Sequence, residues 1–123
     1  GTTIWSPLAS GFLTGKYKGK HAKDFRLKRE ELGWLAEILL VEENFNKIDK
    51  LDALAKNLGM SLPQLGVSWC LKNKNVSTVI LGASKEYQLE ENLKASELKT
   101  KINTQVLEEI ELILDNKPNQ PQF

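Results

Sequence analysis

The residues with the clearest chemical meaning stand where an apolar run meets a polar helical segment. Residues 80–84 (Ile-Leu-Gly-Ala-Ser) end a β-branched stretch, and residues 85–92 are typical of the start of a helix. A strand that ends in small residues lets backbone N–H groups approach a phosphate, and the positive end of the next helix favours negative charge. The polar side chains that helical spacing places near one face are Ser84, Gln88, Glu91 and Asn92. They could surround a nucleotide; the alternative is that Ser84 is an ordinary N-cap and the others form a solvated face.

Composition limits the class of protein. The chain has 123 residues, of which 41% are hydrophobic and 27% charged, which is typical of one small soluble domain. Its net charge of +1 excludes the global basic field of a nucleic-acid binder, although residues 16–29 are locally basic. The single cysteine, Cys70, excludes an intrachain disulfide, and the single histidine, His21, leaves no zinc ligand set.

The sequence also bears on location and completeness. No apolar run approaches the roughly 20 residues of a membrane helix, and the first residues show no signal peptide. These features predict a chain of the reducing cytoplasm that does not insert into a membrane. Because the chain starts without methionine, three residues before a strand, we expect a piece of a longer product.

The first half of the chain predicts one strand and two helices. Residues 2–5 are β-branched and aromatic, so they predict a short strand, and residues 6–11 break it into a loop. Residues 26–44 predict a single surface helix, with Leu32, Leu35, Ile38 and Leu39 on its apolar face. A second helix carries the next apolar repeat and ends at Gly59.

The second half predicts a strand between helices. Ser61 and Gln64 form a capping-box pattern, and the following helix has a predicted buried stripe of Leu65, Trp69 and Cys70. Residues 76–81 predict a strand buried on both faces. Two more helices are expected, one from Lys85 and one from Asn103 that ends by Asn116 and Pro118, before a loose tail at residues 117–123.

Strands that alternate with helices predict an α/β fold with a parallel pair of strands. Two strands alone do not make a stable sheet, because faces and edges stay unpaired. We therefore expect them to complete a larger sheet or barrel supplied by sequence outside this chain. In barrels the phosphate site is often built from the loops after the last two strands and a helix N-terminus.

One cluster of potential proton-transfer residues is rejected as a catalytic site. Lys16, Tyr17, His21 and Asp24 lie close together in sequence, but their lysine-rich loop offers no apolar setting that would shift a pKa. The glycine-rich dinucleotide motif, the phosphate loop and the nucleophile turn of hydrolases are all absent from the sequence.

Three ordered motifs carry a family resemblance that covers about residues 3–118. They are Trp-Ser-Pro-Leu-Ala-x-Gly-x-x-x-Gly-Lys-Tyr at residues 5–17, Leu-Pro-Gln-Leu-x-x-x-Trp-Cys-Leu at residues 62–71 and Leu-Gly-Ala-Ser-x-x-x-Gln-Leu-x-Glu-Asn at residues 81–92. These motifs resemble the C-terminal part of aldo-keto reductases, and within that family most resemble the beta subunits of voltage-gated potassium channels and their microbial relatives. The resemblance implies that residues 1–123 are the C-terminal part of a single (β/α)8 TIM barrel, with strands seven and eight and the surrounding helices, incomplete as given.

The resemblance also implies NADPH as cofactor and a set of residues that bind it. That set is Trp5, Ser6, Pro7, Leu8, Ala9, Lys16, Arg26, Gly82, Ser84, Gln88, Glu91 and Asn92. By this analogy residues 5–9 lie along the nicotinamide and pyrophosphate, with Ser10 in place of a cysteine frequent in channel beta subunits, and Lys16 contacts the pyrophosphate. Arg26, Ser84 and Gln88 would hold the 2′-phosphate, and Glu91 with Asn92 would hold the adenine.

The family's catalytic Asp, Tyr, Lys and His or Asn belong to its N-terminal half, so no catalytic residue is assigned to this chain. Three alternatives stay open. The full-length protein is an NADPH-dependent reductase of aldehydes or ketones, with the missing half of the barrel as partner; it is a regulatory beta subunit that binds NADPH and docks on a potassium channel; or the chain is a fragment without function. We also expect the lone chain to self-associate, because half a barrel exposes apolar faces.

Overall fold

The computed structural model describes residues 1–18 and 26–122. Within them the strands are β1 (Thr2–Ile4) and β2 (Val76–Val79). The α-helices are α1 (Gly33–Leu39), α2 (Glu42–Asn57), α3 (Leu62–Lys72), α4 (Glu86–Leu93), α5 (Ala95–Leu98) and α6 (Thr104–Leu114). Short 3₁₀ turns occupy Ala9–Thr14, Lys16–Lys18, Arg26–Lys28, Glu30–Leu32 and Lys99–Lys101.

The two strands pair in parallel, as the alternating pattern predicts. Thr2 lies opposite Val76 and Ile4 opposite Val79, with an irregularity after Thr2. Beyond the strands, the Ile80 N–H donates to the Ile4 carbonyl at 2.8 Å, which keeps the chains together past the carboxyl end of β1. Because parallel strands end at the same edge, the loops after β1 and β2 start side by side.

The prediction for residues 76–81 is wrong in length and burial. Strand β2 ends at Val79, Ser77 and Thr78 are exposed, and Ile80 is 55% exposed. The run resembles a strand of a central sheet, but β2 has one neighbouring strand in the described residues, and Ser77 and Thr78, which lie on opposite faces of the strand, are both exposed.

The single helix predicted for residues 26–44 is also wrong. Two 3₁₀ turns lead into α1, Val41 is extended, and α2 starts at Glu42. The Asn44 side-chain amide donates to the carbonyls of Ile38 at 3.2 Å and Leu39 at 3.1 Å, so a side chain replaces the backbone partners that a continuing helix would need. Ile38, predicted on the apolar face, is 61% exposed.

The local stop and start signals are confirmed. Gly59 has φ +70° just after α2. The Ser61 hydroxyl accepts from the Gln64 N–H at 3.3 Å, and Gln64 Oε1 accepts from the Ser61 N–H at 2.9 Å. The Asn103 side chain caps α6 by accepting from the Val106 N–H at 2.9 Å. Each signal lies within a few residues of chain, which is why sequence alone predicts it.

The core lies where α2, α3 and α6 meet. Its members include Leu27, Ile48, Leu51, Leu54, Ala55, Leu65, Ile102, Val106 and Ile110. Trp69 does not belong to the buried stripe predicted for α3, because it is 40% exposed. Its ring lines an apolar cleft of about 130 Å³ that Pro7, Cys70 and Leu114 also line.

The rest of the described chain adds little regular structure. Residues 115–122 form neither helix nor strand and are exposed, while Phe123 lies outside the described residues. Among the described helices, none has the length and apolar character needed to cross a membrane. The same residues hold no group of His, Cys, Asp and Glu suited to a metal ion.

Candidate functional site

The site is built at the edge where both strands end. Residues 5–15 follow β1, and residues 80–85 follow β2 and lead into α4. The hydrogen bond from Ile80 to Ile4 holds the starts of these two loops together. In α/β proteins ligands bind outside the carboxyl ends of parallel strands, so this edge is where the topology favours a site.

The loop after β1 has an uncommon backbone. Ser6, Ala9 and Ser10 have φ values of +51°, +48° and +56°, and Gly11 has +91°. Left-handed conformations are costly for residues with a β-carbon and persist where the surroundings impose them, often at ligand sites. The Ser6 carbonyl and hydroxyl accept from the N–H groups of Ala9 at 3.0 Å and Ser10 at 3.3 Å, so the turn is closed by its first residue.

Helix α3 supports this loop through Gly66. A β-carbon at residue 66 would lie 3.3 Å from Leu8 Cδ2 and 3.8 Å from the Pro7 carbonyl oxygen. The absence of a side chain therefore lets the loop approach the helix. Gly66 was not among the predicted site residues, although a glycine inside a helical pattern is a signal of close packing.

Lys16 is held beside the same loop. A β-carbon at Gly11 would lie 2.6 Å from Lys16 Cε and 2.7 Å from its Nζ, so the lysine side chain crosses directly over this glycine. The ammonium also lies 5.5 Å from the centre of the Tyr17 ring. This geometry places a positive charge at the loop after β1, where the resemblance implies a pyrophosphate.

Tyr17 has a structural role in place of the rejected catalytic one. Its hydroxyl donates to the Ser10 carbonyl at 3.1 Å and accepts from the Leu27 N–H at 3.1 Å. Tyr17 is buried, and its two hydrogen bonds join the loop after β1 to the turn that begins at Arg26. His21 and Asp24, the other residues of that cluster with Lys16, lie outside the described residues.

Arg26 is exposed next to this connection. No hydrogen bond or ion pair in the described part of the chain joins Arg26 to Ser84 or Gln88. The structure thus places Arg26 close to the first loop through Leu27, and its shared role with the second loop remains a prediction.

The second loop is organised by Gln88. Its Oε1 accepts from the Ser84 N–H at 3.0 Å, the Ser84 hydroxyl at 3.2 Å and the Lys85 N–H at 3.3 Å. The N-cap of α4 is Lys85, so the alternative in which Ser84 is the N-cap is wrong. Ser84 and Gln88 lie together, as their spacing predicts. The N–H groups of Ser84 and Lys85, at the start of α4, both donate to Gln88 Oε1.

Asn92 is the strongest local sign of a ligand. It is 5% exposed, and its Oδ1 has no hydrogen-bond partner among the described residues. A buried polar atom without a partner is rare in folded proteins and calls for an explanation. An exocyclic amino group of a nucleotide base has the donor that this oxygen lacks, but the oxygen is enclosed by protein atoms, so a base reaches it only if neighbouring side chains move.

Helix α3 positions the segment that carries Glu91 and Asn92. Gln64 Nε2 donates to the Glu91 carbonyl at 2.9 Å, and the fully buried Ser68 hydroxyl donates to the Ala95 carbonyl at 3.0 Å. The capping role of Gln64 was predicted from sequence, but its hydrogen bond to the Glu91 carbonyl was not. A serine on the buried face of a helix was the available signal for Ser68.

Trp5, Ser6 and Gly82, three further predicted site residues, are exposed, whereas Pro7, Leu8 and Ala9 are half-buried. Trp5 is 80% exposed directly after β1, and Ser6 is exposed. No heavy atom lies within 4 Å of a β-carbon placed at Gly82, so the turn after β2 is open.

The sequence matches the model of the Aldo/keto reductase family over residues 1–115. The chain therefore belongs to this family, whose members have a TIM barrel. Two relatives, each named "Probable voltage-gated potassium channel subunit beta", come from Oryza sativa subsp. japonica and Arabidopsis thaliana. Each is 44% identical over 123 residues, which is 99% of this chain and 38% of the relative's length. The chain thus spans less than half of these proteins.

Proposed function

We propose that this chain is the cofactor-binding part of an NADPH-dependent aldo-keto reductase of the cytoplasm, completed by the missing half of the barrel. The observation that carries the proposal is the buried, unpartnered Oδ1 of Asn92 in α4, the helix that follows the loop after β2, taken together with the left-handed loop after β1. NADPH supplies a hydride to a carbonyl carbon when it is bound.

Within this proposal each region of the chain has one task. Lys16 and Arg26 supply positive charge toward phosphate groups, and a guanidinium suits a phosphate because it can donate two parallel hydrogen bonds. Ser84 and Gln88 contact the 2′-phosphate, Glu91 and Asn92 hold the adenine, and residues 5–9 with Gly82 border the rest of the cofactor. The proton for the carbonyl oxygen comes from an acid outside this chain, so the 123 residues alone do not reduce carbonyl compounds.

The 2′-phosphate contact gives the sharpest test. We expect Arg26→Gln to weaken NADPH binding about tenfold and to leave NADH binding unchanged, because a charged hydrogen bond is worth about 1.5–3 kcal/mol. Fluorescence titration of the protein with each nucleotide measures this difference. Arg29→Gln is the matched control, since Arg29 is also an exposed arginine of the basic region. Equal losses for both nucleotides, or for both variants, would contradict the assignment.

The names of the relatives favour a second candidate function, a regulatory subunit that binds NADPH and docks on a potassium channel. The protein isolated from its source distinguishes the two. A reductase lowers aldehyde concentration with matching loss of NADPH absorbance. A channel subunit assembles as a homo-oligomer, which we expect to be a tetramer, and binds the cytoplasmic domain of a channel. A product of about 14 kDa that binds no NADPH would instead identify a fragment without function.

A further inference from the structure

Helix α1 leaves an apolar pair in solvent. Trp34 is 62% exposed and Ile38 is 61% exposed, and their spacing of four residues places them on one face of the helix. Leu35 and Leu39, which lie about 100° around the helix from this pair, pack against the core and account for the docking of α1. Trp34 and Ile38 are therefore not needed for packing within the described chain.

Carboxylates frame this pair. Residues 30–46 contain five glutamates and no lysine or arginine. Glu30, Glu31 and Glu37 lie three or four residues from Trp34 and are exposed. Within the described ranges no ion pair engages these three. Trp34, Ile38, Glu30, Glu31 and Glu37 together define what we term the acidic–apolar surface.

The corner behind this surface is fixed. The Asn44 side chain donates to the carbonyls of Ile38 and Leu39, and so satisfies the end of α1. Glu43, at the start of α2, pairs with Lys47 at 3.0 Å and stays within its own helix. A surface on a fixed corner loses little entropy when a partner binds, and tryptophan is the residue type that most often dominates binding energy.

We infer that the acidic–apolar surface binds a basic amphipathic helix of another protein. Such a helix presents apolar side chains to Trp34 and Ile38, and its lysines and arginines meet the glutamate carboxylates. The five glutamates of residues 30–46 outnumber the three basic residues that directly precede them, Arg26, Lys28 and Arg29, so the sign of the charge disfavours an anionic membrane surface or a nucleic acid. The exposed Leu112 of a second copy does not fit this surface, because Leu112 lies among Glu108, Glu109 and Glu111 and like charges would meet.

The probe for this inference is a fluorescently labelled helical peptide of about 18 residues, with leucines on one face and lysines on the other. We expect it to bind the 123-residue chain, and Trp34→Ala to weaken binding about tenfold. The double variant Glu31→Gln and Glu37→Gln binds the peptide several-fold more weakly than the wild type. Its affinity also falls less than that of the wild type when the salt concentration rises from ~0.05 to ~0.5 M. Fluorescence anisotropy measures each affinity.

Two controls make the test specific. Leu112→Ala removes a side chain that is 82% exposed and also flanked by glutamates, and it leaves peptide binding unchanged. A peptide with glutamates in place of the lysines does not bind. Equal binding by the Trp34→Ala variant, equal loss in the Leu112→Ala variant, or binding of the acidic peptide would overturn the inference.

A second measurement tests whether the surface is open in the protein isolated from its source. Oxidation of tryptophan by N-bromosuccinimide, mapped by mass spectrometry, modifies Trp34 readily if the surface is free, and added lysine peptide protects it. Protection of Trp34 before any peptide is added would show that the polypeptide itself covers the surface, and would overturn the inference.

Discussion

A buried oxygen without a hydrogen bond, as at Asn92, costs a folded protein free energy. The full desolvation of such a group is worth about 1–3 kcal/mol. If the Asn92 side chain destabilises the fold but helps to bind a ligand, its replacement should stabilise the fold and weaken ligand binding. These two opposite effects make Asn92 an informative position to mutate.

We expect Asn92→Leu to raise the free energy of unfolding by about 1 kcal/mol, because it replaces an unpartnered amide with an apolar side chain of similar size. The same change weakens NADPH binding about tenfold if Asn92 holds the adenine. Urea denaturation and nucleotide titration measure the two effects. Asn57→Leu, at an exposed position at the end of α2, serves as control and changes neither. A variant that loses stability and keeps its affinity would refute the assigned role.

The hydroxyl of Tyr17 offers a second test at a single residue. Tyr17→Phe leaves the Ser10 carbonyl and the Leu27 N–H without this partner, so we expect the free energy of unfolding to fall by about 1–3 kcal/mol. Tyr87→Phe is the control, because Tyr87 is 59% exposed. In the protein isolated from its source, an unchanged pH profile of carbonyl reduction supports the structural role. A shifted profile would restore the proton-transfer hypothesis.

At the scale of elements, α3 supports both parts of the candidate site. Gly66 admits the loop after β1, and Gln64 and Ser68 hold the segment from Glu91 to Ala95. Gln64 has two separable roles, because its oxygen caps α3 and its nitrogen donates to Glu91.

Gln64→Glu separates these roles. The carboxylate keeps an acceptor for the Ser61 N–H and suits the positive end of α3, but it removes the donor to the Glu91 carbonyl. We expect α3 to keep its hydrogen-exchange protection while α4 and α5 exchange faster. Gln64→Ala, which removes both roles, raises exchange in all three helices. Unchanged exchange in α4 of the Gln64→Glu variant would contradict the link.

Ionisation of the Cys70 thiol in α3 makes the free energy of unfolding depend on pH. Burial raises the pKa of the Cys70 thiol above its ordinary value of 9.0, against a smaller opposing effect of a backbone hydrogen bond. The unfolded chain then loses its proton first, so the contribution to stability is complete below pH 9.0 and is lost as the pH rises through the raised native pKa. We expect urea midpoints to fall above that pH, and less so for Cys70→Ala. Equal falls in both proteins would contradict this explanation.

Sequence predicted the elements whose determinants are local. The capping box of Ser61 and Gln64, the cap at Asn103 and the stop at Gly59 each depend on a few neighbouring residues, and all three are confirmed. The hydrophobic period over residues 26–44 could not show that the Asn44 side chain would end α1. Burial of Trp69 and Ile38 depends on which elements pack against them, which periodicity does not specify.

At the scale of the whole molecule, much surface is left uncovered. The accessible area is 8929 Å², whereas a compact monomer of this mass has about 6,700 Å². The difference is comparable with a protein–protein interface. Within the described residues, a sheet of two strands and exposed apolar side chains such as Trp5 and Leu112 contribute to this difference.

We therefore expect the lone chain to self-associate through its sheet edge. Sedimentation velocity detects this as a sedimentation coefficient that rises with protein concentration. Ile80→Glu places a charge on a side chain that is 55% exposed after β2 and reduces the association. Leu112→Glu, on α6, has a smaller effect. A wild-type chain that stays monomeric at all concentrations would count against this prediction.

Part of the candidate site could be predicted from the sequence alone. The family motifs named the residues, and the parallel pairing brings the two loops to one edge. The support of the first loop by Gly66 and the burial of the Asn92 oxygen arise from packing between distant segments. Such contacts leave no periodic signal in the chain.

The hydrogen bonds of Gln88 have a further consequence for selectivity. Gln88 Oε1 already accepts hydrogen bonds from the N–H groups of Ser84 and Lys85. An anion that binds these N–H groups must therefore displace Gln88 Oε1 instead of adding new hydrogen bonds. A neutral acceptor gains nothing by such an exchange, whereas a charged one gains because hydrogen bonds to ions are about twice as strong. If a phosphate binds here as we propose, this exchange favours phosphate-like groups over uncharged mimics.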